Sequence, residues 1–293
     1  MFADAYEKAS QFTHPVVVSC RYFDGTVQCS VGAYILLNTE GWALSAAHVL
    51  SVVPAYNKHQ DEIRRYRESV KVIEGNTKLN KKQVDRQIRR LKSNPKWVTN
   101  YSFWWGRNQV QHKDLKVFPD ADLITVRLEG IDFDAITHYP VFKDPTKSMR
   151  VGTSLCKLGY PFHRIEATFD ESKGTFELAP SALPIPLFPI EGIYTRDCLA
   201  GKTQDGKKDI KLIETSSPGL RGQSGGPIFD VNATVWGIQS RTTHFPLGFS
   251  PEIQKGNKTV EENQFLNVGL GVHPELITTF MKDHGIDISI SDY

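Results

Sequence analysis

The sequence predicts a mainly all-β fold, a barrel or sandwich of many short strands. Three observations carry this. Segments rich in β-branched and aromatic residues recur along the whole 293-residue chain. Turn residues separate them at short intervals, and helical periodicity is confined to a few stretches. Pro15–Phe23 is the first strand and turns at Asp24-Gly25. Val31–Leu37 follows, then a turn over Asn38–Gly41, then Trp42–Leu44 running into Ser45-Ala46-Ala47-His48. A helical stretch near Asp61–Glu68 precedes Val70–Ile73, which reads as a short alternating strand. Leu115–Phe118 and Leu123–Leu128 bracket two aspartates, Asp120 and Asp122. In the second half the strands are Ser154–Pro161, Ile210–Thr215, Pro227–Asp230, Val235–Ser240 and Phe265–Leu270, with a hairpin turn at Asn232-Ala233-Thr234.

Two further helices have end signals. Asn80 with Gln83 forms a capping box, and Leu79 with Val84 a staple pair. Val84, Ile88 and Leu91 share one face, and Asn94-Pro95 stops the helix. His273–Lys282 carries a proline at its first turn and Gly285 just beyond its end.

Hydrophobic residues make up 40% of the chain, an ordinary globular share. No run approaches the ~18 apolar residues of a membrane span, so no membrane is expected as partner. Met1–Lys8 shows no basic region followed by an apolar core. No secretory leader is read there, and the expected location is cytoplasmic. Net charge is only +2, yet residues 58–96 hold thirteen Lys/Arg against five Asp/Glu, so the rest of the chain is net acidic. This segment has three readings: a solvated helical face, a docking surface for a regulatory protein, and a nucleic-acid surface. Trp97, Tyr101, Phe103, Trp104 and Trp105 lie just beyond it. Aromatics there either stack bases or pack a core.

Cys20, Cys29, Cys156 and Cys198 match no zinc spacing, and no metal or organic cofactor is expected. Buried thiols in a reducing compartment are the plain reading. If Asp24-Gly25 is a two-residue hairpin turn, however, Cys20 lies opposite Cys29. Opposed Cα atoms sit about 4.5–5.5 Å apart, within disulfide range.

The densest chemical signal is Gly219-Leu220-Arg221-Gly222-Gln223-Ser224-Gly225-Gly226-Pro227. Glycines let the backbone turn tightly and aim successive N–H groups inward. Such N–H groups can hold the oxyanion of an acyl-transfer intermediate, and a serine between them can serve as its nucleophile once a base activates it. A histidine within small residues, Ala46-Ala47-His48, lies upstream, and the two aspartates lie between. Residues two apart on a strand share a face, so Asp120 and Asp122 both remain candidates at this point.

With this order of His, Asp and Ser, the chain resembles the trypsin-like serine proteases of the chymotrypsin fold. It is most similar to the high-temperature-requirement (Deg) branch. Gly32-Ala33-Tyr34-Ile35-Leu36 resembles that branch's Gly-small-Gly-Phe-Ile strand, with Ala33-Tyr34 a departure. Arg150-Val151-Gly152 and Leu158-Gly159-Tyr160-Pro161-Phe162 resemble the start of its second barrel. The likeness runs from about Pro15 to Asp283, interrupted by the basic insertion. It implies a single trypsin-like peptidase domain over 1–293, without a PDZ domain. The N-terminal six-stranded antiparallel barrel would span about 12–130, with a helical insertion over about 54–100. The C-terminal six-stranded barrel would span about 145–272, with a helix over about 274–284.

The resemblance implies a serine endopeptidase acting on a protein or peptide substrate. Ser224 is its nucleophile, His48 the base, and Asp122 the carboxylate, since the apolar register after it matches the family only there. Gly222 and Ser224 would supply the oxyanion hole, and the Ser240 hydroxyl would support Asp122. The primary pocket would comprise Pro218, Gly219, Arg221, Gln239, Arg241 and Thr242. Pro218 stands where trypsin has an acid, so a basic P1 side chain would be buried unpaired. Glutamine- and glutamate-selective relatives use a Thr and a His, at places that look like Gly219 and Gln239. An uncharged P1 is expected, with acidic groups as the rival because Arg221 and Arg241 flank the cleft. Gln223 replaces the aspartate that pairs with trypsin's new N-terminus, so no activating cut is expected, and control would be conformational. The alternative is a latent or inactive binding module of the same fold.

Overall fold

The computed structural model describes residues 1–256 and 258–293. In chain order, α1 (Ala3–Phe12) precedes β1 (Thr13–Tyr22), β2 (Val27–Leu36) and β3 (Trp42–Ala46). The helices α2 (Val52–Glu74) and α3 (Lys81–Ile88) come next, then β4 (Val98–Trp104), β5 (Gln111–Phe118) and β6 (Leu123–Glu129). The second half holds β7 (Val141–Phe142), β8 (Ser154–Gly159), β9 (Ala167–Asp170), β10 (Thr175–Leu178), β11 (Phe188–Lys202) and β12 (Asp209–Thr215). It continues through β13 (Pro227–Phe229), β14 (Thr234–Pro246), β15 (Glu252–Lys255), β16 (Lys258–Glu261), β17 (Phe265–Val272), α4 (Pro274–Asp283) and β18 (Ser289–Ile290).

The fold is mostly β and trypsin-like, as expected. The first sheet has six strands in the order β4-β1-β2-β3-β6-β5, and among the described residues no ladder joins its two ends. In the second sheet β13-β8-β11-β12-β17-β14 closes into a six-stranded ring through the β13–β14 pairing, with the short β7 and β18 added outside β14. One apolar cluster joins the two sheets: Ile35 and Leu123 from the first meet Leu158 and Ile238 from the second, all fully buried. Sharing a core fixes the cleft between the sheets. β2 shows the transition along one strand. Its outer half alternates between exposed and half-buried residues, whereas Gly32–Leu36 is buried on both faces where the second sheet covers it.

The segment after His48 departs from expectation. Val70–Ile73 is not a strand but the last turns of α2, a single 23-residue helix. Val72 stands 75% exposed there, so its alternation with charged residues carried no burial. Helix formers on either side and the inward face of α2 decide the outcome. Along that face Ile63 is buried, and Tyr56 packs edge-on against Tyr101. The Gln60 amide donates to the Val98 carbonyl, and His59 Nδ1 accepts from the Val98 N–H. α3 has its expected capping box, with Asn80 and Gln83 bonding each other's backbone N–H. Its basic side chains face solvent.

The aromatic run after the helices lies in and just around β4 and packs the core. Trp105 is 1% and Trp97 7% exposed, and the Tyr34 hydroxyl donates to the Trp105 carbonyl at 2.8 Å. Tyr101, Phe103 and Trp104 are half-buried against the same apolar clusters, so the packing reading of these residues is the one their contacts support.

The proposed Cys20–Cys29 pairing is also overturned. The β1–β2 register sets Ser19 opposite Cys29 and Cys20 opposite Gln28. The turn is wider than two residues: Asp24 Oδ1 accepts from both the backbone N–H and the hydroxyl of Thr26. A one-residue slip moves a side chain to the other face, so the two thiols point apart and Cys29 Sγ meets Ser19 Oγ at 3.3 Å instead. All four cysteines are free.

Candidate active site

His48 lies in a short 3-10 turn, Ala47–Leu50, directly after β3. Small buried residues precede it, and Ser45 Oγ donates to the Ala33 carbonyl at 2.7 Å, which pins the turn to β2. Asp122 follows a second 3-10 turn, Pro119–Ala121, and has φ +56° and ψ +38°. This is left-handed backbone, which aspartate tolerates better than most residues. Three contacts join the two turns. The Ala47 N–H donates to the Asp122 carbonyl at 3.0 Å, the His48 N–H donates to Oδ1 at 2.9 Å, and His48 Nδ1 lies 2.8 Å from Oδ2.

Ser240, on β14, donates its hydroxyl to Asp122 Oδ2. Burial pushes the Asp122 carboxyl up. Hydrogen bonds from His48 and Ser240, with the His48 charge, outweigh that and leave it below the usual carboxylate range. Asp120, the rival, faces elsewhere and accepts from the Gln204 N–H.

Ser224 is set by its neighbours. Its carbonyl accepts from Ala33 N–H, Gly225 N–H donates to Gln239, and Gln239 N–H donates to Gly226. Two glycines are required here. Gly222 has φ +95° at the third position of a turn closed by Gln223 N–H to Leu220, where only glycine is at ease. At Gly225, φ +84°, a Cβ would lie 2.1 Å from the Ala33 carbonyl oxygen. The N–H groups of Gly222 and Ser224 donate no hydrogen bond among the described residues. His48, Gly222 and Ser224 line one cavity of about 1580 Å³. Gln223 is fully buried, and its side chain satisfies the loop itself, with Oε1 accepting from Leu220 N–H at 3.0 Å.

Of the six residues expected in the primary pocket, only Arg221 lines that cavity. Thr242 Oγ1 donates to the Gly219 carbonyl at 2.6 Å and accepts from the Gly219 N–H at 2.9 Å. The Gln239 amide donates to the Arg241 carbonyl at 2.9 Å, and a Cβ on Gly219 would lie 2.0 Å from Gln239 Nε2. The two sides of the expected pocket are thus tied together by Thr242, with Gln239 packed against the same glycine. Pro218 is half-buried, and Arg221 and Arg241 are exposed.

Sequence reasoning missed Lys157. Its side chain is 1% exposed and its amine donates to Thr215 Oγ1 and to the carbonyls of Ser217 and Pro218. It tethers the segment that enters the Ser224 loop. Burial with no carboxylate partner pulls its pKa down to about 7. The available signal was a lone charge inside the apolar run Leu155-Cys156-Lys157-Leu158.

No curated protein matches this sequence. Among solved structures, the chain is similar to the Rv3671c protease of M. tuberculosis in an active form. That likeness has 11% identity and a TM-score of 0.49, and it covers 98% of this chain and 86% of that one. A serine-to-alanine mutant of Rv3671c in an inactive form is 10% identical with a TM-score of 0.46, covering 96% and 90%. The model of the trypsin-like peptidase domain family matches residues 32–238. That span begins inside β2, which holds the Ser224 carbonyl, takes in both 3-10 turns and the glycine-rich loop, and ends on β14. The chain therefore belongs to the trypsin-like peptidase domain family.

Proposed function

We propose that the protein is a serine endopeptidase, hydrolysing peptide bonds in protein substrates through His48, Asp122 and Ser224. The observation that carries this reading is the His48 Nδ1 contact to Asp122, braced by Ser240, on the same cavity as Ser224. Asp122 holds the imidazole with its other nitrogen turned to the cleft. His48 takes the Ser224 proton as Oγ bonds to the substrate carbonyl carbon. The oxyanion so formed accepts from Gly222 and Ser224 N–H. His48 then gives the proton to the leaving amine as the carbon–nitrogen bond breaks, and water releases the acyl group by the same steps.

On the acyl side, the Thr242 link to Gly219 and the absence of an acid at Pro218 favour a small uncharged P1. Gln223, satisfied within its own loop, supports a site that needs no new N-terminus. The motifs at Gly32–Leu36 and Leu158–Phe162 support kinship with the Deg branch, and four free thiols support a reducing compartment such as the cytoplasm. The exposed basic helix α3 remains the candidate docking surface for a regulatory protein.

One observation favours a second reading, a latent site completed by a partner or a conformational change. Among the described residues no hydrogen bond joins Ser224 Oγ to His48. Such bonds often tighten only with substrate bound. Labelling with a fluorophosphonate probe tests the choice. Wild type should label and Ser224→Ala should not. Labelling of neither protein would favour the latent site.

A further inference from the structure

The cavity beside Ser224 is far larger than the acyl-side pocket needs, and it runs the other way. At about 1580 Å³ it exceeds the usual range of small-molecule pockets. It takes nothing from β14, where Ser240, Arg241 and Thr242 lie, and nothing from Pro218 or Gly219. It lies instead on the His48 side, continuing past the 3-10 turn onto α2. Three walls enclose it: Val18 and Val31 of β1 and β2, Val52 and Ala55 of α2, and Ala167 and Leu178 of β9 and β10.

Two of these walls come from segments inserted in different halves of the molecule. The β9–β10 hairpin is held over the first sheet by Arg21, which pairs with Glu171 and lies 5.0 Å above the Phe169 ring. At the mouth stands Phe162. It is 80% exposed and has φ +62°, left-handed backbone that is an outlier for a bulky residue. Phe188 meets its ring edge-on at 5.3 Å. Such strain persists where the surroundings impose it, and it concentrates at functional sites. Just before it in the chain, the Tyr160–Pro161 backbone packs directly on Gly222 of the serine loop.

We infer that this groove binds the part of an extended polypeptide substrate that follows the cleaved bond, and that it selects apolar residues there. The inference rests on the hydrolase reading above. The direction follows from the chemistry. The base must hand its proton to the leaving amine, so the leaving segment starts beside His48, and the groove starts there too. The three walls present aliphatic side chains, with polar residues such as Gln28, His59 and Thr168 between them. Lys96, stacked on Tyr22 at 4.9 Å, and Arg221 also line the groove and make no ion pair among the described residues. Glu166 and Glu177 line it too, but each is paired, with Arg164 and Lys173, so the cations Lys96 and Arg221 are left to complement acidic residues flanking the apolar ones. Phe162 is the specificity-determining residue at the entrance, and Ala55 a sensitive point on the far wall.

The test compares wild type with Phe162→Gly and Ala55→Arg on three probes. These are a fluorophosphonate label, small-P1 peptidyl anilides with no residue beyond the cleaved bond, and an internally quenched library randomised beyond it. Labelling and anilide hydrolysis should stay within about twofold of wild type. On the library, wild type should prefer apolar residues in the leaving segment. Both variants should lose that preference and about tenfold or more in kcat/KM. Phe162→Gly should melt no lower than wild type, because it relieves the left-handed strain; a purely structural Phe162 would lower the melting temperature. A wild type that labels but ignores the leaving segment would overturn the groove and spare the hydrolase. Equal losses on anilides and library would also overturn it. A wild type that neither labels nor cleaves would take down both readings.

Discussion

Asp122 carries more of the site than its contact with the His48 imidazole suggests. It accepts from a backbone N–H, an imidazole and the Ser240 hydroxyl, and its own carbonyl holds Ala47. Asp122→Asn should keep the geometry and reverse the imidazole tautomer, with a loss on the order of 10⁴ in kcat. Ser240→Ala removes one charged hydrogen bond, worth about 1.5–3 kcal/mol in full. Only part of that reaches the transition state, so a loss of about tenfold is expected, read from labelling rates of the two variants side by side. Lys157 makes a separate prediction. Lys157→Met takes a donor from the Ser217 and Pro218 carbonyls; Ser217 keeps the Gly269 N–H, so Pro218 is the one stranded, at about 1–3 kcal/mol for an unsatisfied buried group. Urea denaturation should show that loss, and slower labelling should accompany it because those carbonyls lead into the Ser224 loop.

At the scale of elements, the insertion after His48 separates into two kinds of helix. α2 is tied to β4 through Gln60 and His59, so its inner face belongs to the fold. α3 buries no residue and is held at its start by Asn80 and Gln83. Asn80→Ala should fray α3 locally, at about 1 kcal/mol of helix stability, and leave anilide hydrolysis unchanged. Hydrogen exchange confined to residues 81–88 would register it. If hydrolysis fell as well, α3 would be coupled to the site rather than merely attached beside it. The proposed docking surface on the exposed basic face of α3 thus lies apart from the packed sheets.

For the whole molecule, acid stability depends in part on a histidine outside the site. His14 is held near pKa 4 chiefly by burial, then by the Arg107 charge, while a backbone hydrogen bond with Gln11 works against both. Between about pH 6.5 and 4 the unfolded chain binds a proton at this position that the folded chain does not. Stability from this residue is therefore present above that window and lost as pH falls through it. Lys157 acts on the alkaline side. With a folded pKa near 7 against an ordinary 10.5, its contribution rises as pH climbs from 7 toward 10.5. Denaturation midpoints measured across pH 4–7 should fall less steeply for His14→Gln than for wild type. Parallel curves would show that His14 carries none of the acid dependence.

Local chemistry determined much of this protein in advance. The strands around the two turns, the capping box of α3, the proline-led α4 and the glycine-rich loop are signals written in adjacent residues, and the structure has them. His48, Gly222 and Ser224 stood out as candidates because their motifs are short, whereas Asp122 was preferred to Asp120, and Ser240 singled out, only through the family resemblance. What needed distant partners was not legible. Val70–Ile73 alternates like a strand, yet it is helix because its neighbours are. Cys20 and Cys29 were paired by assuming a turn, and one residue of register sent them to opposite faces. β11 was missed because its fifteen residues are mostly exposed or half-buried, so no apolar period marks it. Lys157 is a lone charge in an apolar run, and its burial is set only by the closing of the second sheet. The large groove takes its walls from an insertion in one half and a hairpin in the other, remote in sequence. Sequence decides what a segment of a few residues can do alone. Burial, register and the meeting of remote segments are set by the packing of the whole chain.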